Sequence, residues 1–170
     1  MPSKAVKRAR PRASVGSIEA VTEQLRAYAT RGVFREFTVK ESRQAAEYRI
    51  NWLTPRPLRV RFDAKSSLLT LVDLLPDISP RSPMDLALRV FVAGRFSTKL
   101  PEHRRISKQL VRKLVVVNSN RKTSLRLTLN KKDTGAGARQ ALLLISEIFQ
   151  NFLAGPYHEY MVRNFDLRED

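Results

Sequence analysis

Apolar side chains change their spacing along this chain, from a period of about 3.6 to a period of 2 and back again. Ile18, Val21, Leu25 and Tyr28 recur at helical spacing, as in an amphipathic helix with one buried stripe. Ser17 suits the N-cap of that helix, Glu19 the positive end of its dipole, and Gly32 a left-handed stop. After Val33 the period becomes 2 within each of several short runs. Phe37 and Val39 alternate with Glu36, Thr38 and Lys40, then Tyr48, Ile50 and Trp52 with Glu47, Arg49 and Asn51. Beyond a turn at Pro55 and Pro57, Leu58, Val60 and Phe62 alternate with Arg59, Arg61 and Asp63. A short connection at 64–66 leads to Leu68–Leu75, apolar nearly throughout. The pattern predicts four antiparallel strands with one buried and one polar face.

Ser82-Pro83-Met84-Asp85 reads as a helix start, with a hydroxyl cap, a proline at the first helical position and an acid in the first turn. Leu86, Val90 and Phe91, supported by Ala87 and Ala93, are expected to be its buried side, ending near Gly94. A polar connection over 95–108 holds Pro101 and the Glu102-His103-Arg104-Arg105 cluster. Two further strands are predicted over 110–117 and 124–130, joined by an Asn/Ser-rich turn at 118–123. A long helix follows from about Thr134 to Leu153, with Leu142, Ile145, Phe149 and Phe152 on one stripe and Gly155-Pro156 as its stop. Residues 157–165 form a last short helix with Tyr160, Met161 and Phe165 on its apolar side, expected to dock on its own domain, the alternative being a second subunit. The order α-ββββ-α-ββ-α-α defines an α+β fold, an antiparallel sheet of about six strands with helices packed on one face. Residues 1–16, with Pro2, Pro11, Gly16 and few large apolar side chains, read as a disordered basic tail, and 17–170 as one domain.

A length of 170 residues with 42% hydrophobic content suits a single core. The absence of cysteine excludes disulfides and thiolate metal sites and points to a reducing compartment. No apolar run reaches the roughly 18 residues that a membrane span needs. The N-terminus lacks the apolar stretch of a secretory signal. Its Arg-rich, acid-free run up to Glu19 has the composition of a mitochondrial transit peptide, but Pro2 and Pro11 interrupt the amphipathic helix such a peptide uses. The simplest expectation is a bacterial cytoplasmic protein with no membrane association.

Charge changes the picture most. The formal net charge is +16, and it is concentrated. Residues 95–132 hold twelve lysines and arginines against one carboxylate, Glu102, and the first twelve residues hold five cations and no acid. Such a field attracts polyanions, whereas a merely solubilising face has no use for that much self-repulsion. The expected phosphate contacts are Arg104, Arg105, Lys108, Arg112, Arg121, Lys122, Arg126, Lys131 and Lys132, with Lys7, Arg8, Arg10 and Arg12 on a flexible arm. Arg112 and Arg126 are expected to share one face across the strand pair, with Arg121 and Lys122 at the hairpin tip. Only Phe96 lies among these cations, so the expected contact is with the nucleic-acid backbone rather than with stacked bases. The partner is expected to be nucleic acid or a ribosome, or else an acidic protein.

Catalytic patterns are absent. Gly135 and Gly137 lie between a strand and a helix, but position 140 is Gln140 where the dinucleotide fingerprint needs glycine, so a helix cap is the better account. His158-Glu159 is followed by Val162 where a zinc-protease helix needs a second histidine, and His103 is the only other histidine. No serine sits in a nucleophile elbow. Glu102 among its neighbours suits charge balance with Arg104 or Arg105. Tyr28, Tyr48 and Trp52 follow the apolar faces of their own elements and read as core. A non-catalytic binding protein without cofactor or metal is expected.

The element order over about residues 18–153, with its long C-terminal helix over 140–153, resembles the small α/β sandwich of type III secretion chaperone-like proteins and the related bacterial YbjN-type domain. The resemblance implies a non-catalytic protein-binding module, often a homodimer, and hence a chaperone or adaptor as the alternative function. The segment after Gly155 and the strongly basic charge depart from the simplest form of that fold, whose secretion members are typically acidic.

Overall fold

Residues 13–167 are described by a computed structural model. Helix α1 (Ala13–Thr30) leads into strands β1 (Glu36–Glu41), β2 (Ala45–Asn51), β3 (Leu58–Asp63) and β4 (Leu68–Leu75). Helix α2 (Pro83–Gly94), strands β5 (Val111–Ser119) and β6 (Lys122–Leu129), and helices α3 (Thr134–Glu147) and α4 (His158–Phe165) complete the chain. The strands form one antiparallel sheet in the order β1-β2-β3-β4-β6-β5. The fold is α+β, as the alternating period implies.

One face of the sheet is the core. Ala46, Tyr48 and Ile50 of β2, Leu58, Val60 and Phe62 of β3, Leu69 and Leu71 of β4, and Leu125, Leu127 and Leu129 of β6 are all buried. In β4 the register shifts between Leu71 and Leu75, with Asp73 left-handed at φ 48°, so that Leu74 and Leu75 are both buried. Helices α1 and α3 pack against each other over this face, α1 reaching β1 and α3 reaching β6. Thr22 and Tyr48 share a buried hydroxyl–hydroxyl hydrogen bond of 2.8 Å. Burial pushes the Tyr48 phenol up to about 12, despite the opposing effect of Thr22.

Helix α1 extends four residues before Ser17, into the segment expected to be disordered. Ser17 is inside the helix rather than its cap, and its carbonyl accepts a hydrogen bond from Thr134 Oγ1 at 3.1 Å. Adding a turn to a helix already held by packing is far easier than nucleating one. The expected arm with Lys7, Arg8, Arg10 and Arg12 lies outside the described residues. At the other end, Gly32 has φ 77°, and its N–H bonds Ala29 O while the Val33 N–H bonds Tyr28 O, both at 3.0 Å. This is a Schellman stop, which favours glycine because the left-handed position penalises a Cβ.

Helix α2 starts as expected, Ser82 Oγ accepting from the Asp85 N–H at 3.2 Å, and Ala87 and Phe91 pack against the core as expected, but the rest of its buried side differs. Leu88 and Val92 face inward with Asp85, whereas Leu86 and Val90 are 55% and 74% exposed. Asp85 decides the rotation. It accepts from the Arg81 N–H at 3.1 Å, from Arg89 Nε at 3.2 Å and from Asn118 Nδ2 at 3.2 Å. Burial alone would raise its pKa, yet these donors hold the carboxylate below its ordinary value. Arg89 also donates Nη1 to Val116 O at 2.9 Å, on the edge strand β5.

The β5–β6 hairpin is tighter than the 118–123 connection expected. Ser119 pairs with Lys122, and only Asn120 and Arg121 form the loop, with φ 52° and 62°. Two left-handed residues give the twist that two-residue hairpins require, and the non-glycine Arg121 conceals it in the sequence. After Glu147 the helix widens into a π-helical stretch, Ile148–Leu153, and the Ala154 N–H reaches Phe149 O at 3.2 Å. Helix α4 docks on its own domain. Tyr160 donates its hydroxyl to Pro76 O, and Phe165 meets Phe149 edge-on at 5.1 Å.

The start of α3 serves packing. Thr134, Gly135, Ala136, Gly137 and Ala138 are all buried, and Asp133 Oδ1 caps the helix by accepting from the Ala136 N–H at 3.1 Å. A Cβ at Gly137 would lie 2.9 Å from Leu129 Cδ2 and 3.2 Å from Leu129 Cβ. Gly137→Ala is therefore expected to destabilise by about 1–3 kcal/mol through overpacking. Gly94→Ala, with nothing within 4 Å of the new carbon, is expected to stabilise by about 0.5 kcal/mol. Urea midpoints compared at constant m-value measure both.

Candidate nucleic-acid interface

The cations of residues 95–132 separate into three groups, and one group is structural. Arg95 is buried, with Nη1 2.8 Å from Glu147 Oε2 and its guanidinium 3.9 Å from the Phe91 ring centroid. Arg104 holds the same carboxylate through Nε and Nη2 at 3.1–3.3 Å. Burial alone would raise the pKa of Glu147, but the two guanidiniums hold it below the ordinary glutamate value. At the hairpin turn, Arg121 places Nη2 2.6 Å and Nε 3.1 Å from Asp77 Oδ1. Arg104 and Arg121, expected as phosphate contacts, are thus neutralised by carboxylates that lie 43 and 44 residues away in the chain. Nor does Glu102 balance Arg104, whose carboxylate partner is Glu147.

A second group converges. The Asn130 N–H bonds Leu110 O at 2.9 Å and Asn130 Nδ2 bonds Gln109 O at 2.9 Å, which brings the approach to β5 against the exit of β6. Lys108, Arg112, Lys113, Lys131 and Lys132 all surround this junction, and all five are exposed. A bulge between Val111 and Lys113 leaves Arg112 as the extra residue, while Lys113 takes the place opposite Thr128. Lys113, rather than Arg112, is therefore in step with the row of Arg126, which pairs with Val115. The nearby carboxylate of Asp133 caps α3. Among the described residues, none of the five cations forms an ion pair.

The other expected contacts on β6 lie further along the strand. Lys122 is at the far end of β6, about 23 Å from Leu129 at 3.3 Å per residue. Arg126 lies mid-strand on the face of the sheet turned away from the helices. On that face the register Arg61–Thr70–Arg126 runs across three strands, and Arg49 directly opposes Arg59. Arg61 pairs with Glu47 at 3.0 Å and Arg59 approaches Asp73 at 3.8 Å, but Arg49 makes no ion pair among the described residues. These cations were visible as the polar half of the alternation in β2 and β3. Local net charge does not single them out, because acids share the strands.

Arg105 and Lys108 border a groove of about 610 Å³ along the 96–110 connection. It adjoins a second cavity of about 380 Å³, and Glu102 and Gln140 line both. Tyr28 and Trp52 form walls of the second cavity while flanking buried Phe34, with ring centroids 5.8 and 5.7 Å from it. They pack against the core, as expected from their spacing, and also face this opening.

Among the described residues no group of three or more His, Asp or Glu side chains is placed to hold a metal ion, and no helix is long and apolar enough to cross a membrane. Comparison with protein-family models, curated proteins and solved structures finds no match in any of the three.

The Arg95–Glu147–Arg104 cluster carries a prediction. Glu147→Ala leaves a buried guanidinium unpaired and is expected to cost about 3 kcal/mol. Because the folded-state pKa of Glu147 is depressed, its contribution is fully present above the unfolded value near 4.5. That contribution is lost as pH falls through the lower folded-state value. Denaturant melts at pH 7 and pH 3 are expected to show a smaller gap between wild type and Glu147→Gln at the lower pH.

Proposed function

We propose that the protein is a non-catalytic binder of nucleic acid, free or within a ribosome, that grips the phosphate backbone. The observation that supports this reading is the set of five exposed cations, Lys108, Arg112, Lys113, Lys131 and Lys132, around the Asn130 junction without a carboxylate partner among the described residues. Like charges held together without neutralisation destabilise a fold and are useful where a polyanion completes them. Arg105 extends the surface along the groove and Arg126 extends it onto the open sheet face. Each phosphate that a lysine or arginine neutralises releases condensed counterion, so binding by this surface is steeply salt-dependent.

Anisotropy of a labelled DNA duplex, titrated between 50 and 200 mM salt, measures this directly. With about five phosphates neutralised, log K is expected to fall against log salt with a slope near −4.5. Each of Lys108→Gln, Lys131→Gln and Lys132→Gln is expected to weaken binding irrespective of sequence and to reduce the slope by about 1. Lys122→Gln, at the opposite end of β6, is expected to change neither. Binding that ignores salt, or that survives the triple substitution, refutes the proposal. Recovery of one defined acidic protein with a nucleic-acid-free preparation would favour the adaptor function instead.

A further inference from the structure

The two adjoining cavities differ in chemistry along one path. At one end Tyr28, Trp52, Leu142 and Leu143 present aromatic and aliphatic walls, with Arg139 beside them. At the other end Arg105 and Lys108 are the charged lining. Glu102 and Gln140 stand between as shared walls. Gln140 Oε1 accepts from the Ser107 N–H at 2.8 Å, which fixes the amide and leaves its NH₂ as the donor offered to a ligand. Glu102 forms no ion pair among the described residues and supplies an acceptor. An apolar recess of about 380 Å³ with a few convergent polar groups is of a size that holds a small flat ligand.

From this we infer that the recess takes one unstacked base of a single strand, while the adjoining phosphates lie on Arg105 and Lys108. The inference rests on the nucleic-acid reading above and adds to it a substrate class. Aromatic faces accept any base by stacking, and the polar pair at the boundary meets its hydrogen-bonding edge. A base within a duplex is already stacked and paired and cannot enter. Glu102 is the only carboxylate among the lining residues, against Arg105, Lys108 and Arg139, so the path stays favourable to a phosphate chain.

Trp52 is the sole tryptophan, and its own emission reports occupancy. The intact protein is titrated at 50 mM salt with a twelve-nucleotide oligothymidylate, with an abasic strand of the same length, and with a twelve-base-pair duplex. The single strand is expected to quench Trp52 and to bind about tenfold more tightly than the abasic strand, as one stacked base provides. The duplex and the abasic strand are expected to leave the emission unchanged. Ser146→Phe fills the recess from its wall, and Trp52→Leu removes the indole that borders it. With folding verified by circular dichroism, each is expected to bring single-strand affinity, read by anisotropy of a labelled strand, down to the abasic level. Equal binding of both strands with unchanged emission overturns the base recess and leaves the backbone reading intact. Failure of every probe to bind overturns the backbone reading itself.

Discussion

The buried carboxylate of Glu147, at the end of α3, anchors the course of the chain between α2 and β5. Two guanidiniums from that connection close on it, Arg95 at 2.8 Å and Arg104 through paired contacts at 3.1–3.3 Å. Burying Arg95 and Glu147 is costly, and their mutual contact, completed by the partly exposed Arg104, offsets the cost. With 95–104 pinned to α3, Ser107 meets Gln140 and Gln109 meets Asn130. Those two contacts bring Lys108 to Lys131 and Lys132 and lay Arg105 along the groove. Cations that look like surface charge in the sequence thus hold the frame on which the exposed ones are displayed.

The sheet separates the chain's two demands. Its inner face takes nearly all the large apolar side chains under α1 and α3, so the outer face is left for polar residues, with Arg49, Arg59, Arg61 and Arg126 on neighbouring strands. Directly opposed like charges such as Arg49 and Arg59 weaken a strand pair. The interior aromatic contacts on the other side of β2, where Tyr48 stacks with Phe37 and bonds Thr22, act against that loss.

Strand positions were legible because a period of 2 is enforced wherever one face is buried: Tyr48, Ile50, Val60 and Phe62 are where alternation puts them. The rotation of α2 was not legible. Leu86 and Val90 are no more apolar than Leu88 and Val92, so hydrophobicity does not choose between them, and the buried Asp85, held by Arg89 and Asn118, lies on the side of Leu88 and Val92. Local charge density identified the segment that carries the exposed cluster, yet it missed which arginines fold onto distant acids, because Glu147 and Asp77 approach Arg104 and Arg121 only in three dimensions. The spacing of Trp52 and Tyr28 places them in the core, and spacing has no means of registering that a core aromatic also borders an opening made by α3 and the 102–103 turn.

Strand β5 ends the sheet with the run Leu114-Val115-Val116-Val117. Rims of that composition template the addition of foreign strands and lead toward fibrillar aggregates. The guanidinium of Arg89 occupies the Val116 carbonyl in the middle of that rim at 2.9 Å. The same side chain steadies Asp85, so one residue both docks a helix and occupies a carbonyl on the open rim of the sheet.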